Sequence, residues 1–218
     1  MPGSTPLTSS RAVGWAAVGV GLAVLFYFMP LFHVVSLKGA QEEAAAAVVD
    51  AGDCVETFWR GPRRDASSRA VDAAELLSAF RRDFAGTADS YGHRLGLSGH
   101  SSYLVSGMGT IVSVDEHSVS IALQEDGPVE VVIEIGPVFG NAIRDGSGLL
   151  DVSDFENAQD FNALSAEINR RVEERVLPVL QANAAAGTSV RFVGGVEVRN
   201  SGDAPASLKL VPVAIEFP

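Results

Sequence analysis

Alternation of apolar and polar residues in the second half of the chain predicts five β-strands. Valine, isoleucine and leucine occupy every second position most clearly in 119–123 and 129–135. Successive side chains of a strand point to opposite faces, so this period indicates strands with one buried side. The phase of the pattern changes at Pro212, which predicts a bulge or a sheet corner, because proline cannot donate to a central ladder. The predicted strands are 103–115, 119–123, 129–135, 190–198 and 208–217.

A long helix is predicted between the third and fourth strands. Asp154 is a suitable N-cap, and Pro178 ends or kinks the helix. Its apolar positions share one face at helical spacing and are expected to be buried: Phe161, Leu164, Ile168, Val172 and Val176. Its charged positions are expected to face solvent: Glu167, Arg170, Arg171, Glu173 and Glu174. Three strands, a helix and two closing strands match the five-stranded oligonucleotide/oligosaccharide-binding (OB) barrel. The predicted fold class is therefore α+β, with a small sandwich or an α+β roll as the alternative.

Helical spacing dominates the region before the barrel. A first helix is predicted from Gln41 to Arg60, where Gly61 and Pro62 stop it. A second helix, capped by Asp65 or Ser68, carries an amphipathic stripe formed by Val71, Leu76, Leu77, Phe80 and Phe84. The polar segment 86–102 is expected to be a loop. These patterns predict three domains: a membrane anchor at 1–38, a helical subdomain with its linker at 39–100, and the OB-like barrel at 101–218.

The N-terminal segment from Ala12 to Phe32 is apolar and uncharged. A transmembrane helix needs about 20 apolar residues, which this segment supplies. The apolar core of a cleaved signal peptide is shorter, although Val34, Val35 and Ser36 form an acceptable cleavage site. We therefore expect an uncleaved single-pass anchor with the remainder of the chain outside the cytoplasm. A cleaved signal peptide and a buried core helix are the alternatives.

Composition narrows the function by excluding several classes. The formal net charge is −11, which disfavours nucleic acid as a partner, since binding it needs a basic surface. Cys54 is the single cysteine, so no intrachain disulfide can form. It follows Asp53 rather than a pair of small residues, so it is not expected to carry a lipid. The four histidines are scattered, and no nucleophile, metal or phosphate-loop motif stands out. We expect no cofactor, no metal and no enzymatic activity.

A candidate binding site lies in the segment 135–145, which follows the third strand and is expected to be a loop. Gly136, Pro137 and Gly140 shape its backbone, because glycine adopts angles that other residues avoid. Arg144 offers five donors to a carboxylate, a phosphate or vicinal hydroxyls, and Asp145 can orient it or accept a hydroxyl. The structural alternative is that Arg144 and Asp145 anchor the loop to the barrel.

The runs IGPVFGNAIRD, VSDFENAQDFNAL, GTSVRFVGG and LVPVAIEF, together with Asn169, resemble a bacterial family. It is the family of predicted periplasmic lipoproteins, a domain of unknown function whose genes often neighbour those of sugar ABC transporters. The resemblance spans most of residues 40–218 and implies a small helical subdomain followed by an OB-like domain. It brings no known activity and no catalytic residue, and this chain lacks the family's lipid-attachment cysteine.

These observations predict an anchored extracytoplasmic protein that is a binding or accessory module. The resemblance suggests a sugar ABC transporter as its partner. The alternative is a structural or interaction protein of the cell envelope that has no small-molecule ligand. The membrane, through Ala12 to Phe32, is the other expected partner.

Overall fold

The computed structural model describes residues 15, 18–20, 39, 51–57, 59, 69–94, 99–150, 155 and 158–218. The chain divides into two compact units, Met1–Ala44 and Ala45–Pro218, and all the elements below belong to the second. Most of the predicted anchor, Ala12 to Phe32, lies outside the described residues. None of the helices within those ranges has both the length and the apolar character that a membrane span requires.

The described part of the second unit contains six strands and five helices whose two ends are both described. Residues 51–57 are also helical. The strands are β1 (Val71–Asp72), β2 (His100–Val114), β3 (Ser118–Ala122), β4 (Val129–Glu134), β5 (Ser189–Arg199) and β6 (Leu208–Glu216). The helices are α1 (Ala73–Arg82), α2 (Phe84–Tyr91), α3 (Ala142–Ser147), α4 (Ala158–Arg175) and α5 (Leu177–Asn183).

Five of the strands close into a barrel. The order is β2-β3-β4-β6-β5, and β5 pairs with β2 to complete the circle. All neighbours are antiparallel except β4 and β6, which are parallel. The short strand β1 adds in parallel beside β2, at residues 105–106. This is the closed α+β, OB-like barrel that the order of the sequence patterns predicts.

The barrel interior holds the residues whose alternation predicts the strands. Val119, Ile121, Val131 and Ile133 are each completely buried. The apolar stripe of α4 is buried as predicted: Phe161, Leu164, Ile168 and Val172, together with Val176 just beyond the helix. Close-packed apolar contacts of this kind provide the main driving force for folding.

The bulge predicted at Pro212 is present. Pro212 lies opposite Gly194, and the register between β5 and β6 shifts between Val193 and Gly194. A Cβ on Gly194 would lie 2.4 Å from the carbonyl oxygen of Val211. The backbones of β5 and β6 therefore leave no room for a side chain at this irregular point of the ladder, and glycine is the residue that fits there.

The helices before the barrel differ from their predicted form. The predicted stripe is split: Val71 lies in β1, and Asp72 rather than an earlier residue caps α1, accepting from the backbone N–H groups of Ala74 and Glu75. Asp83 then ends α1 and caps α2. The predicted loop 86–102 was wrong in part, because α2 extends to Tyr91 and β2 begins at His100. The predicted caps Asp65 and Ser68 lie outside the described residues.

Helix α4 buries two of its charged residues. Glu167 and Arg171 were expected to face solvent, but both are buried, with about 6% of their surface exposed. They are buried as a charge pair, which lowers the cost of removing either from water. The break predicted at Pro178 is present: α4 ends at Arg175, and Pro178 lies in the first turn of α5, where a missing N–H costs nothing. The predicted cap Asp154 lies outside the described residues.

Candidate functional site

The segment that was expected to be a loop contains a short helix. Residues 142–147 form α3, so the prediction of a loop was wrong for Arg144 and Asp145, which lie in its first turns. The true loop is 135–141, between β4 and α3. It carries Gly136, Pro137 and Gly140. The candidate residues are therefore divided between an exposed loop and a buried helix.

Arg144 is buried, with 4% of its side chain exposed. Its Nε donates to Asp145 Oδ1 at 2.7 Å, and its Nη1 donates to the carbonyl oxygen of Phe161 at 3.0 Å and to Asn162 Oδ1 at 3.3 Å. Its guanidinium also lies 3.7 Å from the centroid of the Phe161 ring. These contacts occupy the cation with groups of the protein itself. They support a structural role for Arg144: it joins α3 to α4, where the structural alternative expected the loop to be anchored to the barrel, and Asp145 orients it.

Helix α3 packs directly on the backbone of the barrel. A Cβ on Gly195 in β5 would lie 2.5 Å from the carbonyl carbon of Ala142, and a Cβ on Gly146 would lie 2.7 Å from the backbone of Tyr103 in β2. Two glycines, one on each side of the contact, thus permit an approach that any side chain would prevent. This contact fixes where the loop 135–141 leaves the barrel.

The loop is held against α4 by two hydrogen bonds. The backbone N–H of Val138 donates to Glu173 Oε1 at 2.6 Å, and Asn169 Nδ2 donates to the carbonyl oxygen of Gly140 at 3.0 Å. Gly140 has a φ of +90°, as a tight turn needs. Gly136 does not lie in the left-handed region, so the expectation of unusual backbone angles was wrong for it.

A groove of about 390 Å³ lies between this loop and α4. Its polar lining includes three asparagine amides, and the apolar ring of Phe139 lines it from the loop. Phe139 is 81% exposed, the largest fraction among the large apolar residues of the described chain. The amides belong to Asn141, Asn162 and Asn169. The groove therefore combines an aromatic face with groups that both donate and accept hydrogen bonds.

The charged residues of the groove make contacts within the protein. Arg170 donates to Glu167 through Nε at 2.8 Å and Nη2 at 2.7 Å, and it also pairs with Glu174. These carboxylates raise the pKa of Arg170, so it stays cationic and paired. Glu173 accepts the Val138 N–H. One hydroxyl differs from these: Ser165 Oγ is buried in the lining and has no hydrogen-bond partner.

Sequence reasoning found the loop but missed the opposite wall of the groove. Asn162, Ser165 and Asn169 are spaced by three and four residues, which places them on one face of α4. The spacing is visible in the sequence, but the charged residues on the same helix indicate an ordinary solvated face.

Metal binding finds no support in the part of the chain that the structure describes. No group of three histidine, cysteine, aspartate or glutamate side chains converges there. His93 lies instead against Gly148, the residue with a φ of +59° that ends α3.

The fold defines the class of the protein as an OB-fold protein. A crystal structure of an OB-fold protein from Thermotoga maritima is similar, with a TM-score of 0.68 and 21% sequence identity. The match covers 77% of this chain and 98% of that one. At this identity the likeness bears on the fold alone.

The chain belongs to the family of predicted periplasmic lipoproteins, DUF2291, whose model matches residues 22–216. Membership supports an extracytoplasmic, membrane-associated location. Comparison with curated proteins found no similar sequence. The resemblance noted from the sequence runs is thus confirmed.

Proposed function

We propose that the protein is a non-catalytic binding module, tethered outside the cytoplasm by residues 12–32, whose groove between the loop 138–141 and α4 holds a neutral sugar. A sugar ABC transporter is the partner proposed for it, on the basis of the gene neighbourhood typical of the family. The observation that carries the binding role is the exposed ring of Phe139 in the lining of an amide-rich groove.

The chemistry of the groove suits a neutral polyhydroxylated ring. Sugar hydroxyls both donate and accept hydrogen bonds, as do the amides of Asn141, Asn162 and Asn169. The apolar C–H face of a sugar can pack on Phe139. An anionic ligand would find Arg170 already engaged by Glu167 and Glu174. The volume lies within the range of about 300–1,000 Å³ typical of small-molecule sites.

The fixed backbone of the loop favours binding as well. Because Glu173 and Asn169 hold the loop on both sides of Phe139, the aromatic ring is presented with little freedom to lose. Ordering a loop on binding would reduce affinity, so a site that is already ordered binds more tightly.

Thermal unfolding of the full-length protein in detergent, with a panel of neutral monosaccharides and disaccharides, tests the proposal. A ligand of the native state raises the unfolding midpoint by mass action, with about 2.7 kcal/mol of stabilisation at a concentration of 100 Kd. We expect a midpoint shift in the wild type that is lost in Phe139→Ala and in Asn162→Ala. Met108→Ala is the matched control, since Met108 is 56% exposed on β2 and does not line the groove.

The result that overturns the proposal is the absence of a shift with any neutral sugar, or a shift that survives both groove substitutions. The envelope-interaction alternative predicts a different pattern. In that case Phe139→Ala would lose a co-purifying membrane protein that Met108→Ala retains, while no sugar would move the midpoint.

A further inference from the structure

A cluster of paired charges joins α4 to the helical residues 51–57. Arg171 lies at its centre and is buried, with 7% of its side chain exposed. Its Nη2 donates to the carbonyl oxygen of Gly52 at 3.0 Å, and its Nη1 pairs with Glu56. Ala51 and Val55 of the same segment are buried in the apolar core. Residues 51–57, which we call the docking segment, are therefore held by both apolar contacts and charge.

One carboxylate connects this cluster to the groove. Glu167 Oε1 accepts from Arg171 Nε at 2.9 Å and from Arg170 Nη2 at 2.7 Å. Arg171 contacts the docking segment, whereas Arg170 lines the groove. Glu167 thus divides its charge between a residue that binds the docking segment and a residue that faces the ligand site.

Opposite charges are paired in the cluster while the segment is docked. Among the described residues, the pairs join Arg170, Arg171 and Arg175 with Glu56, Glu167 and Glu174. If the segment leaves, Glu56 leaves with it and a buried arginine loses a partner. An unpaired buried charge is costly, so Glu167 would pair more closely with Arg171. The hydrogen bonds between Glu167 and Arg170, on the groove side, would then weaken.

We propose that docking of residues 51–57 on α4 and occupancy of the groove are linked, so that each favours the other. The proposal rests on the binding role proposed above, since it assigns regulation to that same groove. The docked segment keeps Arg170 paired with Glu167, which suits a neutral ligand better than an unpaired cation would. Because linkage is reciprocal, a ligand that prefers this state holds the segment down by the same factor.

The single cysteine supplies a direct measure of docking. Cys54 lies in the docking segment, is partly buried and packs against the core. Its rate of labelling by a neutral thiol reagent, at constant pH and in the full-length protein, reports how often the segment leaves α4. Glu56→Gln removes the segment's charge and keeps its shape. We expect about fivefold or faster labelling in this variant. Ligand affinity falls only by the factor by which the docked population falls, so the linkage itself is measured by how strongly saturating ligand slows labelling.

Saturating ligand should slow Cys54 labelling in the wild type. Asp89→Asn is the matched control, because it removes an exposed pair with Arg94 that belongs neither to the groove nor to the charge cluster, and it should change neither the labelling rate nor the ligand affinity. If a sugar binds but saturating sugar leaves the Cys54 labelling rate of the wild type unchanged, the linkage is overturned and the binding role stands.

A second variant keeps the linkage testable when no sugar binds, the outcome in which the proposed function itself fails. Arg170→Gln changes the groove side of Glu167, at a side chain that is 51% exposed, and also removes the partner of Glu174. Removing this cation takes one positive charge out of the cluster, which disfavours the carboxylate of Glu56 and should speed Cys54 labelling. A labelling rate equal to that of the wild type would overturn the linkage without any ligand.

Discussion

The guanidinium of Arg144 lies face-on over the ring of Phe161, 3.7 Å from its centroid, and donates to the carbonyl oxygen of the same residue. One side chain on α3 therefore satisfies both the ring and the backbone of a residue on α4. Phe161 is itself buried. The pair holds the two helices together. It thereby also fixes the position of the loop 135–141, which contains Gly140.

Arg144→Ala should lower the free energy of unfolding by about 3–5 kcal/mol, because removing one member of a buried ion pair strands the other. The member left behind is Asp145, whose side chain is 11% exposed. Chemical denaturation of the full-length protein measures the loss. Arg191→Ala serves as the control, since it breaks an exposed pair with Glu216 and should cost about 0–1 kcal/mol.

A different outcome would assign Arg144 to ligand binding rather than to structure. In that case Arg144→Ala would unfold at the denaturant concentration of the wild type and yet lose the sugar. The present contacts argue against this, because Nε and Nη1 of Arg144 both donate hydrogen bonds within the protein.

Much of the fold could be predicted because its signals are local. The alternation around Ile121 and Ile133 places one face of each strand in the core whatever the topology, and the structure buries both residues. Pro212 marks its bulge through the missing N–H alone. The order of strands and helix then restricts the barrel to few arrangements.

The burial of Glu167 and Arg171 could not be predicted in the same way. A charged residue is ordinarily exposed, and what reverses this for Arg171 is a partner more than 100 positions earlier in the chain, Glu56, while Glu167 is buried beside Arg171 and paired with it. The helix around Arg144 also lacks a local signal, because its N-cap residue Asn141 makes no side-chain capping bond. The sequence signal for both features depends on contacts between distant segments.

Gly195→Ala should lower the free energy of unfolding by about 1–3 kcal/mol, the usual cost of forcing an extra carbon into a packed contact. The added Cβ would lie 2.5 Å from the backbone of Ala142 and Ile143, which cannot move independently of α3. Gly136→Ala is the matched control, because a Cβ there meets nothing within 4 Å. Equal denaturation midpoints for the two variants would show that α3 does not pack on β5 as described.

The ion pairs of the buried Glu167 side chain should make the free energy of unfolding depend on pH in the acidic range. Hydrogen bonding by Arg170, aided by Arg171, holds the pKa of Glu167 below its ordinary value of 4.5, despite the opposing effect of burial. A depressed folded pKa contributes stability that is fully present above the unfolded value and is lost as pH falls through the folded one. Glu167→Gln should therefore be less stable than the wild type near neutral pH, and the difference should shrink below pH 4.5. Urea denaturation at a series of pH values measures it, and a difference that stays constant into acid would show that the charge of Glu167 contributes nothing.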